Sequence, residues 1–361
     1  MQSWKALTRS WCIVWLNITF AMACTAAAES VSGCAEVPHG DHPKALLTNG
    51  KLGALVFLPD TTSGYYRSTR FDWSGVVGCV SLNGHRFFGE WFPQYDPLKN
   101  DSITGPVEEF RTDDGPMGYN ALRPGELSVR PGAIGYHEAR PGETFLKPGV
   151  GVLRKVDDSP YQFGGAYPIV DTGTWTVKVG RRSVRFRQVL RGSGGYAYVY
   201  EKTLTLDKHE PVMTLQHSLK NTGKKAIETY VYDHDFFMLD GKPTGPGMVV
   251  HFKFEPKPQG EIGTAAKIEG KDLVYVDALA PRKGVAGYLT GYSDEVRDYN
   301  FTVEDTRSKV GVQQTSDHPL ARLYFWSTQT TICPEGYIKL NVAPGETSRW
   351  TLRYRFFAPP N

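Results

Sequence analysis

The chain has 361 residues, 40% of them hydrophobic and 22% charged, and its 41 Lys and Arg against 38 Asp and Glu leave a formal charge of +3. Basic and acidic residues are intermixed without a tract of either sign, which disfavours nucleic acid or a membrane surface as partner. Apart from the N-terminal stretch, no segment approaches the ~18 apolar residues that a membrane span needs.

The first 28 residues read as a secretory leader. Lys5 and Arg9 precede an apolar stretch from Trp11 to Ala27, and Ala26-Ala27-Ala28 offers small residues for cleavage before Glu29. This predicts a signal peptide over 1–28, one mature domain over 29–361, and export to the periplasm or beyond the cell. A lipoprotein-type cut at Cys24 is the alternative, although Phe20-Ala21-Met22-Ala23 lacks the branched residue usual three places before such a cysteine. Cleavage leaves Cys34, Cys79 and Cys333, so at most one intrachain disulfide forms, and which two pair stays open. His39-Gly40-Asp41-His42 has no Cys or Glu at ligand spacing and reads as a solvated turn rather than a metal site.

Next comes Tyr65-Tyr66-Arg67-Ser68-Thr69-Arg70-Phe71, followed by Trp73, in which arginines sit among aromatic rings. Aromatic faces pack on a pyranose ring, and an arginine fork fixes hydroxyls or a carboxylate. From Pro93 to Pro148 the chain is rich in Gly, Pro and charge and poor in periodicity, as expected of long loops that wall a binding site. Alternation then takes over. Thr174–Val179 turns at Gly180-Arg181-Arg182 and returns through Ser183–Arg187 as a hairpin. Tyr196–Leu206, Val212–Leu219 and Ala226–Phe237 follow, and the middle of the chain is predicted to be an antiparallel meander. With 38 Gly, 24 Pro and no apolar helical stripe longer than three turns, the chain is predicted to be all-β.

Two strings carry most of the functional information. Tyr232-Asp233-His234-Asp235-Phe236-Phe237 closes one run and Cys333-Pro334-Glu335-Gly336-Tyr337 opens the last. Each places an ionisable group at a strand edge among aromatic residues, where an imidazole and a carboxylate can serve one ligand as acid and base. Pro334 marks an edge or bulge and Gly336 permits close approach of a ligand. His217, with Met213, Leu215 and Leu219 on its face, reads as a core histidine.

Leu219-Lys220-Asn221-Thr222-Gly223, with His234-Asp235-Phe236-Phe237 after it, resembles the aldose 1-epimerase (galactose mutarotase-like) superfamily around its catalytic histidine. Glu335, Leu340-Asn341-Val342-Ala343-Pro344-Gly345-Glu346 and Trp350–Phe356 are similar to that superfamily's catalytic glutamate, Pro-Gly-Glu turn and closing strand. Arg67 and Arg70 resemble its early arginine pair, here three apart rather than four. The residue before the histidine is Asp233 rather than Asn, the one after the aromatic pair is Met238, and a second histidine has no clear counterpart, with His137 the candidate to replace it.

The resemblance implies a β-supersandwich and a mono-, oligo- or polysaccharide ligand, with no cofactor. It implies Glu335 as base on the anomeric hydroxyl and His234 as acid on the ring oxygen. Arg67, Arg70, Trp73, Glu109, His137, Tyr232 and Trp326 are candidates to bind substrate, with Glu108 a secondary one. Two other readings stay open. One is a polysaccharide lyase in which Arg67 and Arg70 neutralise a uronate carboxylate. The other is a carbohydrate-binding module without catalysis.

Overall fold

The computed structural model describes residues 33–34, 41–116, 129–192 and 194–360. The leader, His39 and Gly40 lie outside them. Among the described residues the only helical pieces are two three-residue 3-10 turns, and the rest of the regular structure is strand.

Two large antiparallel sheets form the body. The ten-stranded sheet runs Thr174–Val179, Ser183–Leu190, Tyr198–Leu206, Val212–Asn221, Thr347–Phe357, Val310–Ser316, Asn300–Asp305, Met248–His251, Asp272–Tyr275, Ala266–Glu269. The seven-stranded sheet runs Lys257–Pro258, Val285–Thr290, Arg322–Ser327, Ile332–Val342, Ile227–His234, Val107–Pro116, Val129–Gly132. They pack face to face, and alternation supplies the apolar layer between them. Phe110 of the smaller sheet meets Tyr200 at 5.4 Å and Trp350 at 6.0 Å on the larger. Val231, Ile338, Leu215 and Leu352 are buried in the same core.

The hairpin at Gly180 forms as expected, with Val179 opposite Val184. The meander holds only through Asn221, because Ile227–His234 crosses to the other sheet and pairs with Ile332–Val342 and Val107–Pro116. Cys333 lies in the penultimate strand rather than the last. Nor is Pro93–Pro148 only loop, since Val107–Pro116, Val129–Gly132 and Thr144–Lys147 are strands within it. Glu108-Glu109-Phe110-Arg111 does not read as a strand because ionised residues occupy both faces, each meeting a cation or tyrosine on its own side.

Cys34 and Cys79 are disulfide-bonded, which leaves Cys333 as a buried free thiol. His42 is only partly exposed and is anchored by contacts. Its Nδ1 is 2.7 Å from the Ser63 carbonyl and its Nε2 is 3.0 Å from the Tyr95 hydroxyl, among Phe57, Tyr65 and Tyr95.

Candidate functional site

The seven-stranded sheet opens at one place. Ile227–His234 and Ile332–Val342 are paired from Ile227↔Val342 to Val231↔Ile338 and then part. Beyond that point the first strand continues beside Val107–Pro116 and the second beside Arg322–Ser327. They rejoin at an isolated bridge between Phe237 and Ile332. Residues 232–236 and 333–337 therefore frame a lens-shaped gap. Pro334 lies on its rim and has no amide hydrogen to leave unpaired. The Phe236 amide, which would be orphaned here, donates to Cys333 Sγ at 3.0 Å. Gly105 passes under the rim, where a Cβ would stand 2.4 Å from the His234 carbonyl oxygen.

Alternation sends Tyr232, His234, Cys333, Glu335 and Tyr337 to the face turned away from the other sheet. There His234 Nε2 lies 3.3 Å from Glu335 Oε1, and both residues are 4% exposed. His234 stacks on Phe236 at 3.7 Å between ring centroids, and Trp326 meets it edge-on at 5.2 Å. Trp91 stacks on the far side of Phe236 at 5.1 Å. Phe236 holds φ = 50°, a left-handed conformation that a bulky side chain adopts only when its surroundings enforce it. That turn brings its ring onto the imidazole. Phe71 closes the site from the Tyr65–Trp73 segment at 5.7 Å from His234.

Burial decides the protonation of the pair. It raises the Glu335 carboxyl to about 8, against the pull of Arg70 and Arg111, and lowers His234 well below the ordinary histidine range, with Arg70 adding to the effect. Near neutral pH the favoured arrangement is an uncharged carboxylic acid beside an uncharged imidazole, not the carboxylate and imidazolium that opposite charges alone would give. The Tyr337 hydroxyl donates to Glu335 Oε2 at 3.2 Å, and Cys333 Sγ lies 3.1 Å from His234 Nδ1. Burial keeps that thiol protonated, well above the usual cysteine range.

Beside the pair lies an ionic network centred on Glu109. Arg70 Nε donates to Glu109 Oε2 at 2.8 Å, the Tyr232 hydroxyl donates to the same oxygen at 2.6 Å, and Lys147 Nζ reaches Oε1 at 3.4 Å. Burial opposes ionisation of Glu109, yet Arg70 and then Lys147 hold it down to about 2. Arg70 also binds Asp101 at 2.6 Å, so its fork is committed to protein carboxylates rather than left free for a sugar or a uronate.

The structure thus gathers His234, Glu335, Tyr232, Trp326, Glu109 and Arg70 on one face. The other candidates lie elsewhere. Trp73 is 3% exposed, and its indole N–H donates to the Ser68 carbonyl at 2.8 Å as part of a structural corner. Glu108 faces the sandwich interior, where it binds Lys202 and lies 2.6 Å from His217 Nε2. His137 is exposed in the turn before Thr144–Lys147, and none of the described contacts joins it or Arg67 to the pair. Gly336 serves packing rather than ligand approach, since a Cβ there would lie 2.6 Å from the Tyr299 ring. Sequence reasoning missed Trp91, Lys147, Arg111 and the contact of Cys333 with the imidazole. For Cys333 a signal was present, two residues from Glu335 in the same string.

No family model and no curated protein matches the chain by sequence. Solved structures resemble it in fold. A galactose mutarotase-like protein from Clostridium acetobutylicum is 11% identical, with 90% of this chain and 98% of that one covered at a TM-score of 0.51. A galactose mutarotase-like protein from Lactobacillus casei is 10% identical, covering 87% and 100% at 0.48. A galactose mutarotase related enzyme from Lactobacillus acidophilus is 9% identical, covering 87% and 97% at 0.48. At 11% identity the Clostridium likeness shows the fold alone, and the fold of this chain is the galactose mutarotase-like supersandwich.

Proposed function

We propose that the protein is an exported carbohydrate isomerase of the aldose 1-epimerase type, in which Glu335 and His234 open and reclose a sugar ring at its anomeric carbon. The observation that carries this reading is the 3.3 Å contact of two buried, oppositely functioning groups on an aromatic face. The hydroxyl and the ring oxygen of a cyclic sugar share one carbon, so the acid and base that serve them must be neighbours. Glu335 takes the proton from the anomeric hydroxyl while its oxygen forms the carbonyl. The bond from that carbon to the ring oxygen breaks, and His234 delivers a proton to the departing oxygen. Rotation about the next carbon–carbon bond and reversal of both transfers give the other anomer.

The pair carries one transferable proton. Carboxylic acid with neutral imidazole and carboxylate with imidazolium differ only in where that proton sits, and bound sugar hydroxyls resolvate the charged form. Export is proposed from the N-terminal leader pattern and is supported by the Cys34–Cys79 disulfide, a bond that persists in oxidising compartments.

Anomer exchange measured by NMR on a panel of aldoses tests the reading. Exchange is expected with the native protein and lost in both Glu335→Gln and His234→Ala. Wild-type exchange in either variant would overturn the assignment. Sugar binding without any conversion would favour a binding module, and an unsaturated product from a uronate polymer would favour a lyase.

A further inference from the structure

The cations on the outer face of the seven-stranded sheet are not equivalent. Arg70 is bound by Glu109 and Asp101, Lys147 by Glu109, and Arg322 by Asp113 through two hydrogen bonds at 3.1 and 2.5 Å. Among the described residues Arg111 has no such partner. It stands opposite Tyr230 and so projects on the same face as Tyr232 and His234. Its guanidinium donates a single long bond of 3.4 Å to the Tyr337 hydroxyl and lies 5.8 Å from that ring. Its Nε is buried without an acceptor among the described residues. Glu109 and Asp113, each two positions from it along the strand, are already engaged, Glu109 by Arg70, Tyr232 and Lys147 and Asp113 by Arg322.

The position of this free fork matters. The tyrosine hydroxyl it touches is the one that donates to Glu335 Oε2 at 3.2 Å, so Arg111 is two hydrogen bonds away from the carboxyl of the acid–base pair. Tyr337 and Tyr230 lie between Arg111 and Arg322, whose guanidinium sits over the Tyr230 ring at 4.7 Å. Arg322 and Tyr288 line a surface hollow of about 210 Å³ at this end of the sheet. The charges do not balance either. Among the described residues, the four cations Arg70, Arg111, Lys147 and Arg322 share three carboxylate partners, Glu109, Asp101 and Asp113, and burial raises the Glu335 carboxyl to about 8. A half-buried guanidinium with an unpaired face is an expensive thing to keep unless a ligand completes it.

We infer that Arg111 recognises an anionic group on the sugar, a carboxylate or a phosphate ester, and that the substrates are therefore anionic sugars rather than neutral ones. The inference rests on reading His234 and Glu335 as the sugar-handling pair. A planar fork fits both anions through two parallel hydrogen bonds.

Titration calorimetry with D-galacturonate, D-glucuronate, D-glucose 6-phosphate, D-galactose and D-glucose tests this, with native protein, Arg111→Met and Arg111→Lys. The native protein should bind at least one anionic sugar roughly ten- to hundredfold more tightly than its neutral counterpart, as expected for a charge-assisted bidentate contact. Arg111→Met should erase that preference, and Arg111→Lys should keep part of it at an unchanged melting temperature. Uronates and the phosphate ester compete in the same panel, so the preferred one identifies the anion. Equal affinity for neutral and anionic sugars, or a preference that survives Arg111→Met, overturns the inference. Anomer exchange on the same sugars separates it from the functional reading. Conversion without anionic preference defeats only the inference, anionic preference without conversion defeats only the reading, and binding of none defeats both.

Discussion

The seven-stranded sheet buries ionisable groups on both of its faces, and the same strands supply them. Glu108 and Asp233 point into the sandwich, and their neighbours Glu109 and His234 point out of it. Inside, Glu108 is bound by Lys202 and lies against His217, which stacks on Trp350 at 4.7 Å, and a second sheet closes over all of them. Outside, the cover consists of the loops that carry Phe71, Trp91 and Phe163. The inner group is sealed by strands that cannot part without unfolding the protein. The outer one is covered by segments whose displacement breaks no sheet, which is what a ligand site requires.

The strongest way to break this contrast is to remove the outer pair. Glu335→Gln and His234→Ala should each lower anomer exchange by about 10² to 10⁴, the usual worth of a positioned acid or base, while the protein stays folded. The mirror experiment is Lys202→Met inside. With Glu108 left ionised in a site from which water is excluded, stability should fall by about 3–5 kcal/mol in urea unfolding. Burial pushes Glu108 up, and it is Lys202, then His217, that pulls it down to about 2. If Lys202→Met melts normally and loses activity instead, the inner group is not structural and the contrast fails.

A smaller effect sharpens the comparison through pH. The ordinary Glu value is 4.5 and burial raises Glu335 to about 8, so the folded state holds a proton that the unfolded chain releases. Its contribution to stability is complete below 4.5 and is lost as pH rises through 8. His234, shifted down, runs the opposite way, so the measurement is the difference between the native protein and Glu335→Gln. The variant should gain in relative melting temperature from pH 5 to 9. Activity should fall over the upper part of that range, because deprotonating the pair removes its one transferable proton. A flat difference across the window would mean that Glu335 is an ordinary solvated carboxylate.

How much of this was legible in the sequence follows from the same two faces. Period-two alternation announced the strands of the larger sheet from Thr174 to Asn221, where one face is apolar and the other wet. It failed at Val107–Pro116, because a strand with ionised partners on both sides has no apolar face to display. His234 and Glu335 were legible from their motifs, and Tyr232 and Trp326 from proximity to them. Trp73 was misread because an aromatic beside arginines looks alike whether it packs a corner or a sugar. Arg111 was hidden inside the unrecognised strand, and what sets it apart is the lack of a carboxylate partner among the described residues, which no linear pattern records.

The least of the expected effects concerns Cys333, a place where the outer site borrows a side chain to complete backbone bonding. Its sulfur accepts the Phe236 amide at 3.0 Å and lies 3.1 Å from His234 Nδ1. The contact with Nδ1 holds the ring so that Nε2 faces Glu335, and burial keeps the thiol protonated. Cys333→Ala removes both contacts. The stranded amide should cost about 1–3 kcal/mol, and a freer imidazole should slow exchange roughly fivefold, the worth of a hydrogen bond of about 1 kcal/mol. Cys333→Ser, which restores a donor and an acceptor at nearly the same point, should recover most of both losses. Because the thiol is buried, a cysteine-directed alkylating reagent should leave the folded native protein unmodified and active. An Ala variant that matches the native protein in melting temperature and rate would show that the gap between the two strands is held open by aromatic stacking alone.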